Sequence, residues 1–490
     1  MVSIALVRNR SVGLSLPPLD GVGLLTCVLY LLFFGFGFAS FTDPDYWWHL
    51  STGEQIVETF SIPRHDEFSF TATGASLLNH QWLSEVLIYL SVSWFGYAAT
   101  LGFFIAVTLA SFALMQRLLL RLGTPRAVAL GLIALAMLIS APFWTVRPQL
   151  LSWFLLAVFL NTLVGRNKPP WILVPVLALW ANVHLGYILG LGVVSLWLLS
   201  HVWLHFSSER SINLRGMALF VAACFGASLL NPNGVTPLLE LVDYLPLTSG
   251  DVAIQGITEL EAPDFSQPIH LPLLAGILVL IGLTLAGGVQ DRFVMLLAIV
   301  FTALALQTAR FQPIFALAFL PAAGLAARGL ATRARKPDEP PRSLVNWGLV
   351  AIVTLAVIVA IPQLPNAQVH RQANTDGRTY YPAQALAWVQ EEQPEANVFT
   401  SHMWGGYFIY GLYPEGHVYI DGRSNMYGPD RFVAYRTIIN ANDDWQTLLE
   451  DSGADTVVIE RTERLSAALL DANGWTLALE TARDRVFVRG

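Results

Sequence analysis

The sequence predicts an α-helical polytopic membrane protein of about eleven spans that ends in a small C-terminal α/β domain. Three observations predict it. Of 490 residues, 54% are hydrophobic and only 13% charged, and the mean hydropathy is +0.53; a soluble domain carries about a quarter charged residues. Apolar runs long enough to approach the roughly 20 residues of a span recur along the chain as far as residue 363. From about Leu364 the pattern changes to short β-rich runs alternating with helical periods.

The remaining composition narrows the class. A net charge of −7 argues against a nucleic-acid binder. Cys27 and Cys224 both lie in apolar runs, so neither a disulfide framework nor a thiolate metal site is implied. Arg8 and Arg10 precede the first apolar run, but no small-residue cleavage site follows it. That run reads as a retained span and not as a signal peptide.

The predicted spans are roughly 22–40, 98–116, 127–143, 148–164, 170–184, 185–206, 214–230, 271–288, 292–308, 312–328 and 345–363. The run 82–96 is short and reads as an amphipathic helix along the interface. With that assignment Arg8/Arg10, Arg117/Arg121/Arg126, Arg166/Lys168, Arg210/Arg215, Arg292 and the basic run 328–342 all fall on the cytoplasmic side, as the positive-inside bias requires. The N-terminus is then inside and the C-terminus outside. The run 170–184 is too short for a comfortable span and is expected to be broken or re-entrant.

This topology leaves outside the first loop 41–97, the turns 144–149 and 181–187, the acidic segment 231–265 and the turn 308–312. Arg147, His184, Asn231, Asn233 and Arg310 all fall there. Ionisable groups beside a membrane are costly and usually face a cavity or a partner. One face therefore collects acids, histidines and two isolated arginines.

Residues 380–490 alternate helices (382–392, 404–412, 429–440, 443–452, 462–471) with strands (397–401, 417–421, 455–460, 475–480, 485–489), a small α/β domain. The chain thus divides into a membrane domain, 1–363, and an extracytoplasmic domain, 364–490.

The first loop carries the densest chemistry. Asp43 and Asp45 stand just past a span, where partial burial raises a carboxylate towards a working general base. The same oxygens suit a divalent cation, and Asp43 also suits the cap of a helix starting at Pro44. His49, His80 and Glu85 are further candidates for metal ligation or substrate contact. Trp47, Trp48 and Trp82 read as interfacial belt residues or as a stacking wall. Arg147 and Arg310 each stand alone at the outer end of an apolar run. A phosphate matches the guanidinium fork, and an acid such as Glu259 or Glu261 is the alternative partner. His184 and Asn182, in a tight turn with Gly186, are placed to line the same cavity. In the last domain, Gly405 and Gly406 permit close backbone approach, and Asp421-Gly422-Arg423 follows a strand.

The run ALAWVQEEQPEANVFTSHMWGGYFIYGLYPEGHVYIDGRSNMY (385–427) is similar to the start of the extracytoplasmic domain in catalytic subunits of oligosaccharyltransferases. Those enzymes belong to the GT-C superfamily of multi-span glycosyltransferases. The whole chain also resembles bacterial GT-C-like proteins with Asp-Pro-Asp-x-Trp-Trp-His and Trp-Gly-Gly-Tyr motifs. The resemblance implies a GT-C-like fold, with Asp43 and Asp45 at the acidic position of the first outer loop and 82–96 as the juxtamembrane helix. It implies transfer of a sugar from a polyprenyl-phosphate-linked donor to a glycan, lipid or protein acceptor, at the outer face of a bacterial cell membrane. Asp43 and Asp45 would be catalytic; His49, His80, Glu85, Arg147, His184, Arg310, Trp404 and Asp421 would bind substrate. Two departures bear on this. Gly405 stands where the oligosaccharyltransferase motif has an acceptor-binding Asp, which argues against an Asn-x-Ser/Thr acceptor. No second Asp-x-Asp pair occurs in 100–230, which leaves the family's metal site incomplete. A transporter or flippase of lipid-linked sugars, or an envelope scaffold, is the alternative. The absence of an internal repeat weighs against a transporter.

Overall fold

The computed structural model describes residues 17–40, 43–207, 212–239, 258–331, 343–361 and 381–490. The expected boundary at 364, Arg8, Arg10, Arg210 and most of the basic run 328–342 lie outside the described residues.

Every expected apolar run folds as helix, the one local structure that satisfies its backbone within an apolar surround. In chain order the helices are α1 (Gly21–Ser40), α2 (Tyr46–Thr59, in the first loop and not one of those runs), α3 (Trp82–Phe95), α4 (Tyr97–Arg121), α5 (Arg126–Ser140), α6 (Gln149–Leu163), α7 (Leu173–Val183), α8 (Tyr187–Ser207) and α9 (Leu214–Ser228). Leu271–Gly287, Arg292–Gln307, Gln312–Ala318, Leu320–Ala331 and Ser343–Ala360 follow. Six helices are long and apolar enough to cross a membrane, or seven if a pair bent by 41° counts as one span. The expected eleven is therefore not confirmed. α6, α7, α9 and Arg292–Gln307 are shorter apolar helices. The 11 residues of α7 rise only about 16 Å, against about 30 Å of hydrocarbon. The run expected as one span at 312–328 breaks at Phe319, two residues before Pro321, whose ring and missing N–H interrupt a helix.

The helix ends sort by chemistry. At one end, Arg126 pairs with Asp20 ahead of α1, Arg121 caps the end of α6 through the Asn161 and Val164 carbonyls, Arg292 bonds Ser207 and Arg328 reaches Leu122. At the other end lie Asp43, Asp45, Arg147 and Glu259 with His49, His80 and His184. Between them the core is closely filled, with Trp144, Trp180, Trp197, Phe104, Phe112 and Phe159 among its largest fully buried side chains. Leu25 and Leu32 on α1 and Leu344, Ile352 and Leu355 on Ser343–Ala360 are exposed, an apolar surface of the kind a bilayer covers.

The last domain is a five-stranded sheet in the order β2-β1-β3-β5-β4, with β1 Asn397–Thr400, β2 His417–Val418, β3 Thr456–Glu460, β4 Trp475–Glu480 and β5 Asp484–Arg489. β2, β1 and β3 are parallel, while β3, β5 and β4 are antiparallel. All ten elements expected there are present. The first loop joins the free edge of β2: Phe70 N–H donates to the Val418 carbonyl and Val418 N–H to the Phe68 carbonyl, each at 3.1 Å. Loop and domain thus share one sheet edge.

Candidate active site

The site begins where α1 ends. Asp43 Oδ1 accepts from the Asp45 N–H at 2.8 Å, and the Tyr381 hydroxyl donates to the Asp43 carbonyl at 2.9 Å. The expected cap therefore takes a different form. The helix starts at Tyr46, and the Asp43 side chain closes the turn ahead of it.

Arg147 enters on the turn between α5 and α6, which is anchored by Trp144, whose buried indole N–H donates to Ser140 Oγ at 3.0 Å. Its Nε lies 2.5 Å from Asp43 Oδ2 and its Nη2 2.9 Å from Asp45 Oδ2. Its Nη1 is 3.6 Å from Glu259 Oε2, and Glu259 Oε1 also takes Arg310 Nη2 at 2.8 Å. The two arginines thus share one carboxylate, and the anticipated alternative of pairing with Glu259 is what the structure shows. Asp43 is sealed (side chain 1% exposed) whereas Asp45 retains 16%. Burial pushes the Asp43 carboxyl up in spite of Arg147. At Asp45 burial acts in the same direction but is outweighed by Arg147 and His49, and the carboxyl is held below its ordinary range, the reverse of the rise expected for it from partial burial. The two aspartates are therefore not equivalent. Asp43 is a buried anchor and Asp45 an ionised, partly exposed group.

A second cluster orients His49. α3 crosses α2 at Gly53, where a Cβ would lie 2.2 Å from the Glu85 carbonyl oxygen, so only glycine admits the approach. One turn earlier, His49 Nδ1 then meets Glu85 Oε1 at 3.2 Å. Asn79 Nδ2 donates to Glu85 Oε2 at 2.7 Å. Glu85 is buried with both oxygens engaged, so it positions His49 and does not face a ligand. His80 and His184 stand with ring centres 6.3 Å apart. The turn carrying His184 is held by Trp82 Nε1–H donating to Asn182 Oδ1 at 3.0 Å and by Ser84 Oγ–H donating to the Val183 carbonyl at 2.6 Å.

The last domain closes on this site through its glycines. A Cβ at Gly406 would lie 2.6 Å from the Pro44 carbonyl oxygen, and one at Gly422 only 1.7 Å from Asp45 Oδ1. At Gly405 it would meet the Ile420 carbonyl oxygen at 2.2 Å, so the position where oligosaccharyltransferases carry an Asp admits no side chain here. Asp421 is buried and serves a latch. Arg423 Nε and Nη2 bind its two oxygens at 2.9 and 2.6 Å, and Arg423 Nη1 binds Asp66 Oδ1 of the first loop at 2.8 Å. Trp404 is buried too, with the Arg483 guanidinium 5.5 Å from its ring centre. The structure thus brings Asp43, Asp45, His49, His80, Glu85, Arg147, His184 and Arg310 to one end of the bundle, and it places Trp404 and Asp421 in packing beneath it. Sequence reading did not single out Asp66, Asn79 or Ser152. Asp66 and Ser152 are ordinary polar residues whose partners, Arg423 and His184, lie far away in the chain, and Asn79 is one whose partner Glu85 is only six residues on but was itself read as a ligand.

Among the described residues no three His, Cys, Asp or Glu side chains are grouped to hold a metal ion. Asp43 Oδ2 and Asp45 Oδ2 both turn to the Arg147 guanidinium, which stands between them where a divalent cation would bridge, and Asp43 Oδ1 is taken by the Asp45 N–H. As arranged, these carboxylates do not fit a metal.

No protein-family model and no curated protein matches the chain. Solved structures do. The archaeal oligosaccharyltransferase AglB from Archaeoglobus fulgidus, solved with an inhibitory peptide and a dolichol-phosphate, aligns at TM-score 0.55 and 12% identity over 89% of this chain and 69% of its own. The arabinofuranosyltransferase AftD from Mycobacteria aligns at 0.53 and 12% identity over 96% of this chain, which spans only 40% of that larger protein. ArnT from Cupriavidus metallidurans in the apo state aligns at 0.51 and 12% identity over 95% and 97%. The resemblance read from residues 41–85 and 385–427 is borne out as a likeness of fold: the chain has the architecture of the GT-C membrane glycosyltransferases.

Proposed function

We propose that the protein transfers a sugar from a polyprenyl-phosphate-linked donor to an acceptor hydroxyl, with inversion, at the outer face of a bacterial cell membrane. Asp45 is the base. It takes the proton of the acceptor hydroxyl as that oxygen bonds the anomeric carbon, and the bond from that carbon to the phosphate oxygen breaks, leaving polyprenyl phosphate with the electron pair. Asp43 and Arg147 hold Asp45 in place. Arg310, half-exposed and bound to Glu259, receives the donor phosphate together with the outer edge of Arg147, a fork geometry that suits phosphate oxygens. The observation that carries this reading is the unequal aspartate pair clamped by one guanidinium, in which Asp43 is sealed and Asp45 keeps part of its carboxylate exposed. The dolichol-phosphate bound by the structurally similar AglB supports the donor class.

The test is transfer of radiolabel from a pool of undecaprenyl-phosphate-linked sugars by purified wild type and Asp45→Asn side by side. The expected result is transfer by wild type and a loss of about 10²–10⁴-fold in the folded variant, the range a general base contributes. Equal transfer by both would remove Asp45 from the chemistry.

A further inference from the structure

The hydrogen bonds around His184 and His80 fix both tautomers. The Gly186 N–H donates to His184 Nδ1 at 2.9 Å, so Nδ1 is an acceptor. Trp180 Nε1–H donates to Ser152 Oγ at 2.7 Å, which directs the Ser152 hydroxyl proton to the same Nδ1 at 2.9 Å. A Cβ at Gly186 would lie 2.4 Å from Ser152 Oγ, so the arrangement requires glycine. The neutral ring therefore carries its proton on Nε2. His80 is the reverse: its Nδ1 faces the Leu78 carbonyl at 3.2 Å and must donate, which leaves Nε2 with a lone pair. Among the described residues neither Nε2 has a hydrogen-bond partner, and both rings are half-buried. Burial, first of all, lowers both histidines below their ordinary range, with Arg310 and His49 acting in the same direction on each, while Glu85 opposes at His80.

We propose that His80 and His184 form a neutral donor–acceptor pair that receives one sugar hydroxyl, whose oxygen accepts from His184 Nε2–H while its proton goes to His80 Nε2. The ring separation of 6.3 Å is one that a single hydroxyl spans with two hydrogen bonds of about 2.8–3.0 Å. The pair stands close enough to Arg310 and His49 for both to act on it, and so belongs to the same end of the bundle as Asp45. The inference deepens the glycosyltransferase reading and rests on it. It assigns the recognition of a hydroxyl, carried by either the donor sugar or the acceptor, to two imidazoles held by opposite local bonds.

The test uses amide mimics of one ring nitrogen at a time. Glutamine places its amide near the Nε2 position and asparagine near Nδ1. His184→Gln and His80→Gln are expected to keep transfer within about fivefold of wild type, while His184→Asn and His80→Asn raise KM at least about tenfold, the loss of one hydrogen bond to an otherwise satisfied group. A purely structural role of His184 predicts the opposite order, because Asn preserves the bonds to Gly186 and Ser152; that order overturns the proposal. Running the series against sugar-lipid at fixed acceptor, then against acceptor at fixed sugar-lipid, shows which partner supplies the hydroxyl. Imidazole ¹⁵N spectra of the full-length wild type in nanodiscs need no turnover. His184 protonated on Nδ1, or either ring as imidazolium at pH 7.5, overturns the pair even where transfer is robust. If wild type shows no transfer, the glycosyltransferase reading fails, and the Nε2 shifts on adding the same sugar-lipid pool then decide the pair: shifts support it and their absence overturns it.

Discussion

Gly422→Ala is the sharpest probe of how the last domain acts on the site. The added Cβ would lie 1.7 Å from Asp45 Oδ1 and 2.8 Å from its Cγ. A carbon–oxygen contact needs about 3.2 Å, so the carboxylate or the 421–423 loop must retreat by roughly 1.5 Å, the kind of misfit that costs about 1–3 kcal/mol when a packed site is overfilled. Gly422 is not among the glycines at positive φ, so the effect comes from contact and not from backbone strain. If Asp45 is what yields, it moves off Arg147 Nη2, now 2.9 Å away. A misplacement of about 1 Å costs about 10²-fold where orientation matters, and a loss of about 10²–10³-fold in kcat/KM is expected. The assay is transfer from the undecaprenyl-phosphate-linked sugar pool, with apparent Tm measured on the same nanodisc samples. Gly226→Ala on α9, where a Cβ meets nothing within 4 Å, is the control and should behave as wild type. A folded Gly422→Ala that transfers within about threefold of wild type would refute the claim that this loop fixes Asp45.

Three further outcomes follow from the charge arrangement. Glu259→Gln leaves Arg147 and Arg310 without their shared carboxylate; binding of undecaprenyl phosphate should tighten by about 3–10-fold, the scale of a partly exposed ion pair, and unchanged or weaker binding in a titration would show that Glu259 does not compete with phosphate. Asp66→Asn strips the buried Arg423 of one of its two carboxylates, and a loss of about 3–5 kcal/mol is expected, read as a lower apparent Tm and faster proteolysis of the last domain; a Tm within about 1 °C of wild type would refute the latch, on the usual scale of stability and Tm. His184 is lowered well below its ordinary range by burial, so the folded protein binds fewer protons there than the unfolded chain, whose histidines titrate near 6.5. Its stabilising contribution is full above that pH and is lost as pH falls towards the folded value. Apparent Tm should therefore decline from pH 7 to pH 5, and His184→Asn should flatten the decline.

Much of this was legible in the sequence because the signals were local. Apolar runs marked every helix of the bundle but α2, and period-2 runs bounded by turn residues marked all five strands. Asp43, Asp45, Arg147 and Arg310 stood out because a charge beside an apolar run has few bland explanations. Span count was less legible. Composition marks a run as apolar, whereas packing and Pro321 decide whether its helix is long and straight, as the break at Phe319 shows. The roles of Asp421 and Trp404 were hidden for a related reason. A polar or aromatic residue in a glycine-rich run looks the same whether it faces a ligand or a buried arginine, and Arg423 finds Asp66 across a separation no periodicity reports.

The glycines connect these observations. Gly53 lets α3 reach α2 so that Glu85 meets His49, Gly186 lets Ser152 reach His184, and Gly406 and Gly422 let the last domain touch Pro44 and Asp45. Each lies where a polar group of the site meets another element, and each would be filled by a single methyl group. A cavity lined by chain this close holds its side chains in one arrangement, which is what orientation-dependent chemistry requires. It also explains why the first loop is stitched to the edge of β2 and latched through Asp66 and Arg423. The Asp45 carboxylate belongs to the membrane-side helix, but the backbone that confines it belongs to the domain at the far end of the chain. Loosening either attachment would release Asp45 while leaving Arg147 and Asp43 in place.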